Sequence, residues 1–190
     1  SSNSTWDAMR HDKTILIESP ASYVGKRQTM RTKIPDGMDW SEIDRLVACL
    51  SAKNLHRAAV IVLLCRSFGI RLREAILANL ADWQRQAREH GQIDIREGTK
   101  GGRGKEVERW VTVNERGRVA LREAANVRSQ LGGQNLLRAD ETFDDLVNDG
   151  EVHRARKILH DFGIKGYHEL RAAWACERYE EISGATAPVV

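Results

Sequence analysis

Two arginines, a lysine and a histidine stand at three separated points of this chain. They lie in the runs Gly69-Ile70-Arg71-Leu72-Arg73-Glu74, Thr99-Lys100-Gly101-Gly102 and His168-Glu169-Leu170-Arg171. Together these are the groups that can hold and cleave a phosphodiester without a metal. A guanidinium is planar and permanently charged, and its fork suits two phosphate oxygens at once. Histidine moves protons near neutral pH. A lysine on a hairpin tip can enter a DNA groove or protonate a leaving oxygen. Each run alone has a plainer reading. Arg71 could be a surface residue of a helix corner, Lys100 part of an ordinary charged hairpin, and His168 with Arg171 a surface pair. Their conjunction is what points to phosphodiester chemistry.

The elements that must position these groups can be read from local patterns. Asp39 and Glu42 spell a capping box, with Ile43, Leu46, Val47 and Leu50 following at helical spacing. A second helix is expected over 57–68. It is apolar nearly all round from Ala58 to Leu64, hence central, and Gly69 stops it. Arg71 then falls between a buried helix and a short third helix expected over Leu72 to Leu80, where Glu74 can brace Arg71 or cap the helix. Ile93-Asp94-Ile95 and Trp110-Val111-Thr112-Val113 read as strands joined through the glycine-rich stretch Gly98 to Gly104, a hairpin with Lys100 at the start of its turn. Arg103, Lys105 and Arg109 add positive charge there and are candidate DNA contacts, and Lys105 competes with Lys100 as a catalytic lysine. Asn114 caps a helix running to about Leu131, stopped by Gly132-Gly133. Helices are expected over 142–148 and 151–161, and a last one from near Tyr167 puts His168 and Arg171 on one face. The plan is mainly α with one small antiparallel sheet.

Residues 1–38 read as an arm or inter-domain linker, with Pro20, Pro35 and the basic stretch Lys26 to Lys33. Lys26 and Arg27 are candidate contacts to a DNA backbone there, against the plainer reading of a solvated linker. Residues 39–190 form the second region. The net charge of +3 over 190 residues excludes a polybasic tail that binds nucleic acid by charge alone, but allows local basic patches. Cys49, Cys65 and Cys176 fit no disulfide motif, so a reducing cytoplasm is the expected home. No signal peptide or membrane span is read. The six histidines show no ligand spacing with Cys or carboxylates, so no metal and no cofactor is expected. The chain begins Ser1-Ser2-Asn3-Ser4 and reads as an excerpt of something longer.

In order and spacing these runs resemble the catalytic domain of tyrosine recombinases, the phage-integrase family. That family carries its first arginine in Thr/Ser-Gly-x-Arg-x-x-Glu, and Phe68 to Glu74 matches all but the first position. An acidic residue closes the following helix, where Asp82 stands. The lysine belongs to a glycine-rich hairpin, where Lys100 falls. The second arginine belongs to His-x-Leu-Arg after a helix and a Gly-Ile turn, here His160-Asp161-Phe162-Gly163-Ile164 and then His168-Glu169-Leu170-Arg171. The resemblance spans roughly residues 39–182. It implies site-specific DNA recombination or integration through a phosphotyrosyl intermediate. Arg71 and Arg171 would then neutralise the phosphorane, Lys100 protonate the departing 5′-oxygen, and His168 manage the nucleophile's proton. The implied partners are double-stranded DNA and further copies of the protein on it, in a bacterial or phage nucleoid.

The family's nucleophilic tyrosine follows the His box by some tens of residues, and only nineteen residues follow Arg171. Tyr179 lies eight residues on, about 12 Å along one helix, too far to share a phosphate with Arg171. Tyr23 is in the arm and Tyr167 abuts the box. No nucleophile is therefore assigned in this chain, which is expected to bind DNA and hold the scissile phosphate without cleaving alone. Trp174 is expected to serve packing. The alternatives are a non-catalytic DNA-binding protein that keeps the recombinase fold, and a helical protein-interaction module with fortuitous motifs.

Overall fold

The computed structural model describes residues 34–99 and 108–184. Nearly all of these belong to one unit, Pro35–Ala187. Among the described residues there are seven α-helices and two strands. In chain order they are α1 (Trp40–Ala52), α2 (His56–Phe68), α3 (Leu72–Leu77), α4 (Leu80–His90), β1 (Gln92–Asp94), β2 (Trp110–Thr112), α5 (Glu115–Ser129), α6 (Glu151–Asp161) and α7 (Tyr167–Ser183). The domain is mainly α with a two-stranded antiparallel sheet, as the sequence patterns predict.

An apolar run that cannot face water on any side must sit at the centre, and α2 does. Every residue from Arg57 to Phe68 is buried. Helices α1, α3, α5, α6 and α7 all pack on α2. The helix ends at Gly69, which takes a left-handed conformation at φ 66° and whose N–H bonds to the Cys65 carbonyl. A side chain at Gly69 would overlap the ring of Trp174 on α7. One residue thus serves both the turn that delivers Arg71 and the close approach of α7.

Three further ties fix α6 and α7 around α2. Glu151, the first residue of α6, accepts from the Ala58 amide at 3.0 Å and from Arg57 Nε at 3.2 Å. The Tyr167 hydroxyl, at the start of α7, donates to the Val152 carbonyl at 3.2 Å. Fully buried Arg66 donates to the carbonyls of Gly37 and Met38 at 2.9 and 3.1 Å and to the carboxylate oxygens of Glu177 on α7, and its guanidinium stacks on the Trp40 ring. Buried charges persist only when paired in this way. Packing therefore reaches back to the residues just before α1, whose N-cap is Asp39.

The third helix is shorter than its pattern predicts. It ends at Leu77, and Asn79 then caps a separate helix, α4, by accepting from the Asp82 amide. Asp82 therefore opens a helix, where it pairs with Arg85, instead of closing one. The reason is local: the Asn79 side chain satisfies an amide that a continuous helix would leave to its own backbone. The expected helix over 142–148 is a short segment ending in a π-turn, Asp145–Asp149. In the sheet, Gln92 pairs with Thr112, Ile93 with Val111 and Asp94 with Trp110. Two more backbone bonds extend it, from Ile95 to Arg109 and from Val113 to Gly91. Helix α4 holds the sheet: Trp83 Nε1 donates to the Asp94 carbonyl, and Gln86 accepts from the Asp94 amide.

Gly69→Ala should lower stability by about 2–4 kcal/mol, the sum of a left-handed alanine and an overpacked contact. Gly91→Ala has nearly the same φ but nothing within 4 Å of its added methyl. It should cost only about 1 kcal/mol. Urea titration of the two variants checks the difference, which isolates the Trp174 contact.

Candidate functional site

Arg71 is the N-cap residue of α3, and Glu74 sits one turn further on with its side chain fully buried. Glu74 Oε1 accepts from the Arg71 amide at 2.9 Å and from Arg109 Nη2 at 3.1 Å. Its Oε2 accepts from Arg109 Nη1 at 2.8 Å and from Arg71 Nη1 at 3.3 Å. The glutamate thus both braces Arg71 and caps the helix, and Arg109 grips it in a two-pronged pair. Arg109 reaches it from the residue before β2, where its amide donates to Asp94 Oδ1 at 2.8 Å. Burial alone would push the Glu74 carboxyl up. The Arg109 and Arg71 hydrogen bonds and charges outweigh that and hold it below the usual glutamate range.

Arg171 approaches from α7, one hundred residues further along the chain. Among the described residues its side chain makes no hydrogen bond or ion pair. Burial, then the like charges of Arg71 and Arg109, push its guanidinium pKa down, partly offset by Glu74. Three guanidinium groups therefore surround one carboxylate, and the cluster keeps a surplus of positive charge. Arginine cannot shed that charge at any ordinary pH, so the site is suited to an anion.

A cavity of about 360 Å³ opens over this surplus, lined by Arg71, Leu72, Arg156, Tyr167, His168 and Arg171. His168 is exposed, with Nε2 3.3 Å from Glu169 Oε2. Tyr167 is almost wholly buried, and burial pushes its phenol well above the usual tyrosine range, so it stays protonated. The structure thus brings Arg71, His168 and Arg171 to one cavity and sets Arg109 behind it on Glu74. Lys26, Arg27, Lys100, Arg103 and Lys105 lie outside the described residues. Gly98, two residues before Lys100, presses on α3: a Cβ there would sit 2.7 Å from the Arg73 carbonyl oxygen. Tyr179 is 45% exposed and does not line the cavity. Trp174 packs on Gly69, as expected, and also lines a second groove with Trp110.

Arg156 is the wall residue that sequence reasoning missed. Its signal was present: it lies four residues after Val152 and three before Leu159, on the edge of the buried stripe of α6. A basic residue there cannot point straight away from the core. Among the described residues no cluster of His, Cys, Asp or Glu could hold a metal, and no helix is long and apolar enough to cross a membrane.

A mainly helical domain with a small sheet and an arginine-lined cleft defines the broad class. The chain belongs to the integrase family: a family model described as Integrase matches residues 28–177. It is a phage-integrase or tyrosine-recombinase-like domain, which places it at a general level in DNA integration and recombination. Comparison with curated proteins and with solved structures yields no match.

Because the folded Glu74 carboxyl titrates below its unfolded value, its contribution to stability is complete above the unfolded pKa, near ~4.3. It is lost as pH falls through the lower folded value. Stability measured by urea titration should therefore drop on acidification below about pH 4. Glu74→Gln should lower neutral-pH stability by about 2–3 kcal/mol, as expected for losing charged hydrogen bonds. The variant should also show a shallower acid decline.

Proposed function

We propose that this chain is the part of a tyrosine-recombinase-type DNA breaking and rejoining enzyme that binds duplex DNA and holds the scissile phosphate. The observation that carries the reading is the convergence of Arg71 and Arg171 on one cavity, with the Arg171 side chain making no hydrogen bond or ion pair among the described residues. Membership of the integrase family supplies the chemistry to which that geometry belongs.

In this reading Arg71 and Arg171 bind the non-bridging oxygens of the phosphodiester and neutralise the charge that grows as phosphorus becomes five-coordinate. A tyrosine oxygen attacks phosphorus, the bond to the 5′-oxygen breaks, and a 3′-phosphotyrosyl link forms. Lys100 delivers the proton to the departing 5′-oxygen, and His168 handles the tyrosine proton. Attack by another strand's 5′-hydroxyl reverses the step, and the phosphate bond energy is kept in the covalent intermediate. Glu74 touches neither reactant; it holds Arg71 in place. Lys26, Arg27, Arg103 and Lys105 are proposed backbone contacts outside the cavity. Arg109, proposed as one from the sequence, serves here through Glu74. The working form is proposed to be a cytoplasmic self-assembly on DNA.

The nucleophile is proposed to come from outside this sequence, in cis or from a neighbouring subunit. Tyr167 is the tyrosine in the cavity wall, and its hydroxyl is turned inward to the Val152 carbonyl. That observation also favours the second reading, a DNA-binding domain that keeps the fold without the chemistry.

Fluorescence anisotropy with duplex DNA tests the binding. Affinity should fall steeply with salt, as phosphate contacts require. Arg71→Ala and Arg171→Ala should each weaken binding about tenfold and lower the salt slope by about one. Salt-independent binding would contradict the reading. With a nicked suicide substrate, the 190-residue chain should form no covalent adduct, with or without Tyr179→Phe. Adding a longer natural chain or a partner subunit that carries the tyrosine should produce one. If no such addition does, the non-catalytic reading stands.

A further inference from the structure

The cavity has a wall that one phosphate leaves unused. Arg156 enters from α6, whereas Arg71 enters from the start of α3 and Arg171 from α7. Its guanidinium carbon lies 5.4 Å from the centre of the Tyr167 ring, and among the described residues its side chain makes no hydrogen bond or ion pair. The ring beneath it is fixed, because Tyr167 is buried and its hydroxyl is bonded to Val152. Helix α6 is fixed in turn by Glu151 on the amide of Ala58. Arg156 therefore stands on a rigid platform, stacked by a cation–π contact, with its donors uncommitted.

We propose that Arg156 forms a second phosphate subsite, which takes the phosphodiester next to the one held by Arg71 and Arg171 on the same DNA strand. The inference rests on the DNA-binding reading above and goes beyond it by assigning a residue and a ligand group. Charge and size both favour it. Arg71, Arg109, Arg171 and Arg156 carry four positive charges, and Glu74 cancels one. One phosphodiester brings a single negative charge, so two positive charges would stay unmatched. A second phosphodiester halves that surplus. The cavity, at about 360 Å³, is also roomier than one phosphate group needs. It falls within the ~300–1,000 Å³ of clefts that take whole small ligands. Among the described residues no carboxylate lines it to repel a second anion. A phosphate on Arg156 would fix the direction of the strand through the cavity, which a single tetrahedral anion cannot do.

The test compares a ligand with one phosphate to a ligand with many. Inorganic phosphate is titrated by NMR, and a nonspecific duplex by fluorescence anisotropy over a range of salt, for the native chain, Arg156→Ala, Arg156→Lys and Arg171→Ala. Arg156→Ala should bind inorganic phosphate as the native chain does. It should bind duplex severalfold more weakly at low salt, with a salt slope smaller by about one. Arg156→Lys, which keeps the charge, should restore the slope and so separate charge from lost packing on Tyr167. Arg171→Ala should lose inorganic phosphate. If Arg156→Ala weakens inorganic phosphate as much as Arg171→Ala, there is one shared site and the proposal is wrong. If Arg156→Ala leaves the duplex slope unchanged, or Arg156→Lys fails to restore it, Arg156 is no phosphate contact. If the native chain binds neither ligand, the failure lies with the DNA-binding reading itself.

Discussion

A single carboxylate organises the site. Glu74 is fully buried and accepts four hydrogen bonds, from the Arg71 amide, from the Arg71 side chain and twice from Arg109. An ionised carboxylate in that position is tolerable only with such partners. The arrangement works in both directions. The arginines keep Glu74 charged, and Glu74 holds two guanidinium groups close together that would otherwise repel each other. The rest of the fold supplies the three parts at the right place. The left-handed turn at Gly69 delivers Arg71, the helix start sets Glu74 one turn on, and the sheet carries in Arg109.

The cluster is deliberately unbalanced in charge by its geometry. Glu74 bonds directly to Arg71 and Arg109 and only partly offsets Arg171 through space, and among the described residues no carboxylate pairs with Arg171 or Arg156. Such a surplus lowers stability on its own account, since like charges are held near one another in a half-buried place. Burial and the neighbouring charges of Arg71 and Arg109 accordingly push the Arg171 guanidinium pKa down. On the proposed reading, an anion in the cavity offsets this surplus, most strongly where negative charge accumulates during phosphoryl transfer.

Much of this architecture can be read from the chain, for identifiable reasons. Helix α2 stands out because it is apolar on every side, and the turn after it because glycine stops it. His168 and Arg171 share a face through their spacing alone. Helix α4 does not stand out: only Leu80 and Trp83 are buried along it, among nine polar or small neighbours in Leu80–His90. Its local signals were the Asn79 cap and the Gly91 stop. The omission has consequences, because α4 clasps the sheet through Trp83 and Gln86, and the sheet positions Arg109. The Arg109–Glu74 pair depends on strand register and on an interaction thirty-five residues apart, which no local pattern encodes. Arg156 needed the same knowledge. Its place on α6 was readable, but what α6 faces was not.

The central claim is that Arg71 and Arg171 together form an anion seat. A crystal of the chain soaked in tungstate, a heavy tetrahedral mimic of phosphate, tests it most directly through the anomalous signal of the metal. A peak is expected in the cavity with its oxygens within hydrogen-bond distance of both the Arg71 and Arg171 guanidinium groups, and it should be lost in Arg171→Ala. An empty cavity beside occupied sites elsewhere on the surface, or a peak that survives Arg171→Ala unchanged, would contradict that claim.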